Sequence, residues 1–211
     1  MHKTTTNGFL FGREKMNKSS SDHLPGEKGR WLLALARKTI ALRLGMPYAE
    51  PPGLEEKLND EAFDARRGTF VTLTINGQLR GCIGNLSSDN SIRQGIMDNA
   101  VNAAFHDPRF PPLRPEEFES ITIEVSLLTE PSKIDYKGPE DLLAKLNPGK
   151  DGLIIRKGIH SSTFLPQVWE QLPDKEAFLG HLCLKAGLSA DEWRKGDLLV
   201  YTYRVQYFEE A

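Results

Sequence analysis

Residues 79–84 read Leu-Arg-Gly-Cys-Ile-Gly, placing an arginine, a cysteine and two glycines within six positions. Glycines at this density mark a tight bend or a close backbone approach. One chemistry for the stretch is nucleophilic. Cys82 would act as a thiolate beside Arg80, amides near Gly81 and Gly84 would stabilise negative charge, and His106 would serve as base. The alternative is that Cys82 is a small buried apolar residue. The Cys-His-Asn order of the known protease families is absent.

Arg80 raises a separate question, because an arginine on an apolar face needs a partner. Glu124 is the charged residue within the apolar run 121–128. The expectation is that Arg80 and Glu124 face a shared polar cavity; the alternatives are a structural ion pair or an Arg80 that reaches the surface. Residues 106–112, His-Asp-Pro-Arg-Phe-Pro-Pro, form a stiff extended segment. There His106 could act as a base and Arg109 could bind an anion through two parallel hydrogen bonds. A helix-terminal histidine and a loop ion pair are the competing readings. The five histidines show no pair at ligand spacing, so no metal site is expected. Phosphate loops, dinucleotide fingerprints and nucleophile elbows are also missing, and no cofactor is assigned.

The elements that must position these residues are partly legible. Val71, Leu73 and Ile75 alternate with threonines as in a strand, and Asn76-Gly77 predicts a two-residue type I′ turn. In a regular hairpin Ile75 then faces Gln78, Leu73 faces Arg80 and Val71 faces Cys82. That puts the thiol on the apolar face and Gly81 opposite Thr72. Helical spacing covers the region from Trp31 to Leu42, closed by Gly45 and Pro47, and residues 91–105, where small residues suggest close packing on a sheet. Residues 54–65 are a short helix or a wrapping arm.

Residues 121–128 read as a strand, and residues 139–146 as a short helix begun by proline. Residues 152–165 read as a second hairpin turning at Lys157-Gly158. Asp174 caps a further helix, and Ser189 with Glu192 carries a capping-box signal. Residues 198–208 read as one closing strand with Leu199, Tyr201, Tyr203, Val205 and Tyr207 on one face. That stripe is either packing or a base-stacking platform. Hairpins outnumber parallel crossovers, so the fold class is α+β, a mainly antiparallel sheet flanked by helices.

With 211 residues and a net charge of −2, the chain has no overall field for nucleic acid. No apolar run approaches the ~20 residues that span a bilayer. Two cysteines far apart, without a secretory signal, read as reduced thiols in a cytoplasmic protein. Residues 1–23 are polar and read as a mobile N-terminal tail, within which Met16 offers an alternative start.

Several blocks in order carry a resemblance to the AMMECR family: 79–84, 103–112, 123–128, 152–158 and 163–169. It covers roughly residues 24–208, and residues 181–188 look like the prokaryotic branch. The resemblance implies an α+β fold with a larger lobe on an antiparallel sheet and a smaller second lobe. Residues 24–211 would then form one domain, its two lobes sharing a core. Prokaryotic members accompany a Memo-like protein and a radical-SAM enzyme, which become the implied partners. The family has no settled activity, and whether the chain is an enzyme stays open. The leading expectation is a subunit that binds a small anionic ligand near the hexapeptide. Arg80, Gly81, Gly84, Asp107, Arg109 and Glu124 would be its binding residues, with Cys82 and His106 as catalytic candidates. A non-catalytic adaptor is the alternative, and a nucleic-acid binder is disfavoured.

Overall fold

The structure, a computed structural model, describes residues 23–86 and 89–211. The tail expected at the N-terminus lies, except for His23, outside the described residues. In chain order the elements are α1 (Gly26–Leu44), α2 (Leu54–Leu58), β1 (Thr69–Ile75), β2 (Gln78–Asn85), α3 (Ile92–Phe105), β3 (Ile121–Leu128), β4 (Ser132–Ile134), α4 (Pro139–Lys145), β5 (Gly152–Lys157), β6 (His160–Phe164), α5 (Lys175–Lys185), β7 (Leu199–Tyr203) and β8 (Val205–Glu209). Two four-stranded sheets result, ordered β2-β1-β3-β8 and β4-β7-β5-β6, and every strand pairing is antiparallel. The fold is α+β.

Side-chain period explains the first layer. Val71, Leu73, Ile123, Val125 and Leu127 point to one face of the first sheet and are buried beneath α1 and α3. Leu32, Ala36 and Ile40 from α1 meet Ile92, Ile96, Ala100 and Ala103 from α3 in the same cluster. Small residues on α3 let it lie close to the strands. Ser91 caps its start by accepting from the Gln94 amide. Gly45 ends α1 in the left-handed conformation.

A second cluster lies between the other sheet and α4 and α5, where Leu153, Ile155 and Val200 pack on Phe178, Leu182 and Trp193. Phe178 stacks on Trp169 with ring centroids 3.7 Å apart. A third, smaller cluster of Leu128, Ile154 and Tyr203, flanked by Phe70 and Leu86, joins residues of both sheets.

Three local readings change. The second hairpin turns at Gly158-Ile159, because Lys157 pairs with His160 and Gly158 takes the positive φ. Asp191 rather than Ser189 precedes the 3₁₀ turn at Glu192–Lys195. Glu192 is buried and pairs with Lys157 and Lys195, so it is not available for a capping box. The closing strand is two strands: Arg204 interrupts it, with its amide bonded to Thr129 Oγ1, and the chain passes from one sheet to the other. Tyr201 and Tyr203 therefore belong to the second sheet and exposed Tyr207 to the first, which removes the continuous tyrosine stripe.

Candidate functional site at the edge of the first sheet

The Asn76-Gly77 turn forms as its sequence requires, with φ of 52° and 73° at its two central residues. The returning strand is irregular. Ile75 pairs with Gln78 and Thr74 with Leu79, but Leu73 then pairs with Gly81 and Thr72 with Cys82. Arg80 is thus the extra residue of a β-bulge, and a bulge turns every later side chain to the opposite face. This overturns the regular register. Gly81 now faces α3, where an added Cβ would stand 2.1 Å from the Ala103 carbonyl oxygen. Cys82 leaves the apolar face and is partly buried on the other side of the sheet.

On that side Cys82, Thr72, Glu124 and Glu209 occupy one row across the four strands. The Thr72 hydroxyl donates to Cys82 Sγ at 3.3 Å. Glu124 accepts from Ser126 Oγ at 3.1 Å. Burial pushes the Glu124 carboxyl above its ordinary value; the Ser126 hydrogen bond opposes this and the Glu209 carboxylate adds to it.

The bulge also sends Arg80 away from this row. Its partner is Glu117, through Nε at 2.9 Å and Nη2 at 3.1 Å, and Nη2 reaches the Pro112 carbonyl at 3.4 Å. The expected Arg80–Glu124 pairing is therefore absent. Arg80 holds the Glu117 carboxyl down at about 2. Glu117 belongs to the 3₁₀ turn before β3 and also accepts from the Arg114 amide at 2.9 Å.

Because β2 is an edge strand, its outer backbone groups have no neighbouring strand. The segment after α3 answers them. Asp107 accepts from the Cys82 amide at 2.9 Å, and Arg109 Nη2 donates to the Cys82 carbonyl at 3.1 Å. The two side chains are themselves paired, Nε to Oδ1 at 2.9 Å and Nη2 to Oδ2 at 2.6 Å, and the Arg109 amide donates to Oδ1. A carboxylate and a guanidinium thus do the work of a missing strand and cover an edge that would otherwise invite pairing. The Arg109 guanidinium holds the Asp107 carboxyl far below the usual carboxylate range, helped by the Cys82 and Arg109 amides.

Both arginines approach the Phe110 ring, with guanidinium carbons 6.0 Å and 5.5 Å from its centroid. Among the described residues neither arginine's Nη1 has a partner, and the Arg109 side chain is 53% exposed. His106 sits apart from the thiol: it caps α3, is exposed, and its Nδ1 lies 3.1 Å from Asn102 Oδ1. Gly84 has no room for a side chain, since a Cβ there would approach the Thr69 carbonyl oxygen at 2.3 Å. Asp107 and Arg109 are therefore assembled on the Cys82 backbone, Arg80 approaches them only through the Phe110 ring, Glu124 belongs to the thiol row, and His106 joins neither. Thr72, Phe110 and Glu117 complete the site without having been expected. The Arg114-to-Glu117 spacing is the one sequence hint, since an acid three residues into a turn can reach back to its first amide. Among the described residues no group of histidine, cysteine and carboxylate side chains is arranged to hold a metal ion.

Known proteins share this arrangement of chain. A family model described as AMMECR1 matches residues 33–208. A protein of Methanosarcina acetivorans is 46% identical over 187 residues, covering 87% of this chain and 92% of its own. One of Methanocaldococcus jannaschii is 39% identical over 187 residues, covering 85% and 93%. The crystal structure of an uncharacterised protein from Pyrococcus horikoshii superposes with a TM-score of 0.72 at 36% identity, covering 89% of this chain and 93% of that one. The chain belongs to the AMMECR1 family.

Proposed function

We propose that the chain binds a small anionic ligand beside the hexapeptide. The Arg109 and Arg80 guanidiniums around Phe110 take the anionic group, and Cys82, Thr72 and Glu124 on the adjoining sheet face are the groups available for chemistry. The observation that carries this reading is the Arg109 side chain. It is fixed by Asp107 and the Cys82 carbonyl, yet half exposed, and among the described residues its Nη1 has no partner. A guanidinium held in place loses little freedom on binding, which favours affinity. The neighbouring carboxylates neutralise its net charge, so the contact is directional rather than a long-range attraction.

Amide chemical shifts during titration with sodium phosphate and with sodium acetate test the reading. Saturable shifts at residues 80–84 and 107–110, weakened about tenfold or more in Arg109→Ala, are expected. Failure of both anions to give saturable shifts there would overturn it. Action alongside Memo-like and radical-SAM proteins in the cytoplasm is the wider context proposed. Support for it comes from the family, and co-purification with those proteins is its test. Among the described residues no helix is long and apolar enough to cross a membrane.

A second reading is that the hexapeptide is architectural and the protein an adaptor. The edge clamp favours it, since Asp107 and Arg109 satisfy the Cys82 backbone and Gly81 admits the α3 carbonyl. Under that reading Arg109→Ala weakens the fold and leaves no ligand contact to lose.

A further inference from the structure

A separate cavity of about 350 Å³ opens between the end of β2 and the second sheet. Leu86, Pro131 and Ile154 provide its apolar surface, and Arg156, Lys185 and the strand residues Ser161, Ser162 and Thr163 its polar one. Several partly buried cations are answered by carboxylates, Arg37 by Glu210, Arg80 by Glu117 and Lys157 by Glu192. The exposed Arg156 and Lys185 are not. The Arg156 guanidinium lies 5.4 Å from the Tyr201 ring centroid, and Lys185 Nζ lies 5.1 Å from that of Phe164 and donates to the Thr163 carbonyl at 3.0 Å. No carboxylate within 4.0 Å pairs with either among the described residues, and none lines the cavity. Two cations are therefore oriented by aromatic faces and a carbonyl, contacts that leave their charge uncompensated. The Ser161 hydroxyl beside them has no protein partner among the described residues, whereas Ser162 and Thr163 donate their protons to the Leu182 and Leu153 carbonyls and Thr163 Oγ1 also lies 3.1 Å from the Tyr203 hydroxyl.

We infer that this cavity is a second ligand site, taking a small organic oxyanion, a carboxylate or phosphate monoester, whose apolar body rests on Leu86, Pro131 and Ile154. The arginine offers planar hydrogen bonding, the lysine a point charge and Ser161 a donor, a set suited to an oxyanion. An aryl or alkyl body suits the apolar side, in keeping with pockets that place a few polar groups on a largely apolar wall. This site is independent of the hexapeptide and shares no residue with it.

Phenyl phosphate, benzoate and inorganic phosphate are the probes, followed by amide chemical shifts in the full chain. The expected result is saturable shifts at residues 154–156, 161–163 and 185 with at least one of the two aromatic anions. Whichever binds tighter identifies the headgroup. Inorganic phosphate should bind about tenfold more weakly or less. Both cationic side chains are exposed, so Arg156→Ala/Lys185→Ala should stay folded and weaken binding about a hundredfold, one factor of ten per contact. Arg109→Ala should leave this affinity unchanged, which separates failure here from failure at the hexapeptide. Absence of shifts with both aromatic anions, or equal affinity in the double variant, would overturn the proposal.

Discussion

Asp107→Ala is the sharpest perturbation of the site, because one carboxylate holds both the β2 edge and the arginine. Its side chain is 1% exposed and accepts from the Cys82 amide, the Arg109 amide and two Arg109 guanidinium nitrogens. Hydrogen bonds to a charged group contribute about 1.5–3 kcal/mol each when measured singly, but they share one acceptor and do not sum. Removing one partner of a buried pair costs about 3–5 kcal/mol when the other charge stays buried. Arg109 is half exposed and water can take it up, so we expect a loss of about 2–3 kcal/mol, read from urea unfolding. Hydrogen exchange should localise the effect, with the Cys82 amide losing protection while Val71 and Val125 in the central strands keep theirs.

The sign of the pH dependence follows from the direction of the shift. The Asp107 carboxyl is held far below its unfolded value near 3.9, so its contribution is complete above that pH. It is lost as pH falls toward the folded-state value, and the gap between native chain and Asp107→Asn should narrow below about pH 4. A stability loss under about 0.5 kcal/mol with unchanged exchange at Cys82 would refute the clamp.

Three further outcomes are expected. Gly81→Ala, whose Cβ would meet the Ala103 carbonyl oxygen at 2.1 Å, should cost about 1–3 kcal/mol in urea unfolding, whereas Gly26→Ala, with nothing within 4 Å, should be neutral or stabilising by up to about 1 kcal/mol. Arg80→Ala should return the Glu117 carboxyl from about 2 toward the ordinary glutamate value near 4.3, followed by carbon-detected NMR titration. Phe178→Ala removes a fully buried ring that stacks on Trp169 and should cost about 3–5 kcal/mol, with exchange protection falling first in β5 and β7.

Periodicity carried most of the fold. The alternation at Val71, Leu73 and Ile75, the helical stripe of 91–105 and the Asn76-Gly77 turn each depend on neighbours a few residues away, and each formed. The bulge at Arg80 did not follow from such patterns. The glycines of the hexapeptide mark a bend or a close approach without saying whether a residue is inserted or which one, yet that residue decides which face carries the thiol. The alternatives for Arg80 included a structural ion pair, and the pair formed, but with Glu117 from a distant turn rather than Glu124. Partner choice across 37 residues depends on tertiary geometry. The split of the closing strand at Arg204 was hidden for a similar reason, since both halves have strand composition and only the position of the two sheets separates them.

The central claim is that Cys82 stands partly exposed on the face of the sheet away from α1 and α3, with Thr72 and Glu124, rather than in the core, and intact-protein alkylation tests it most directly. Native chain treated with iodoacetamide and followed by peptide mass spectrometry should gain label at Cys82. Cys183, fully buried with its thiol pushed up by burial, should react only after unfolding. Protection of Cys82 equal to that of Cys183 would return the thiol to the core and contradict the account.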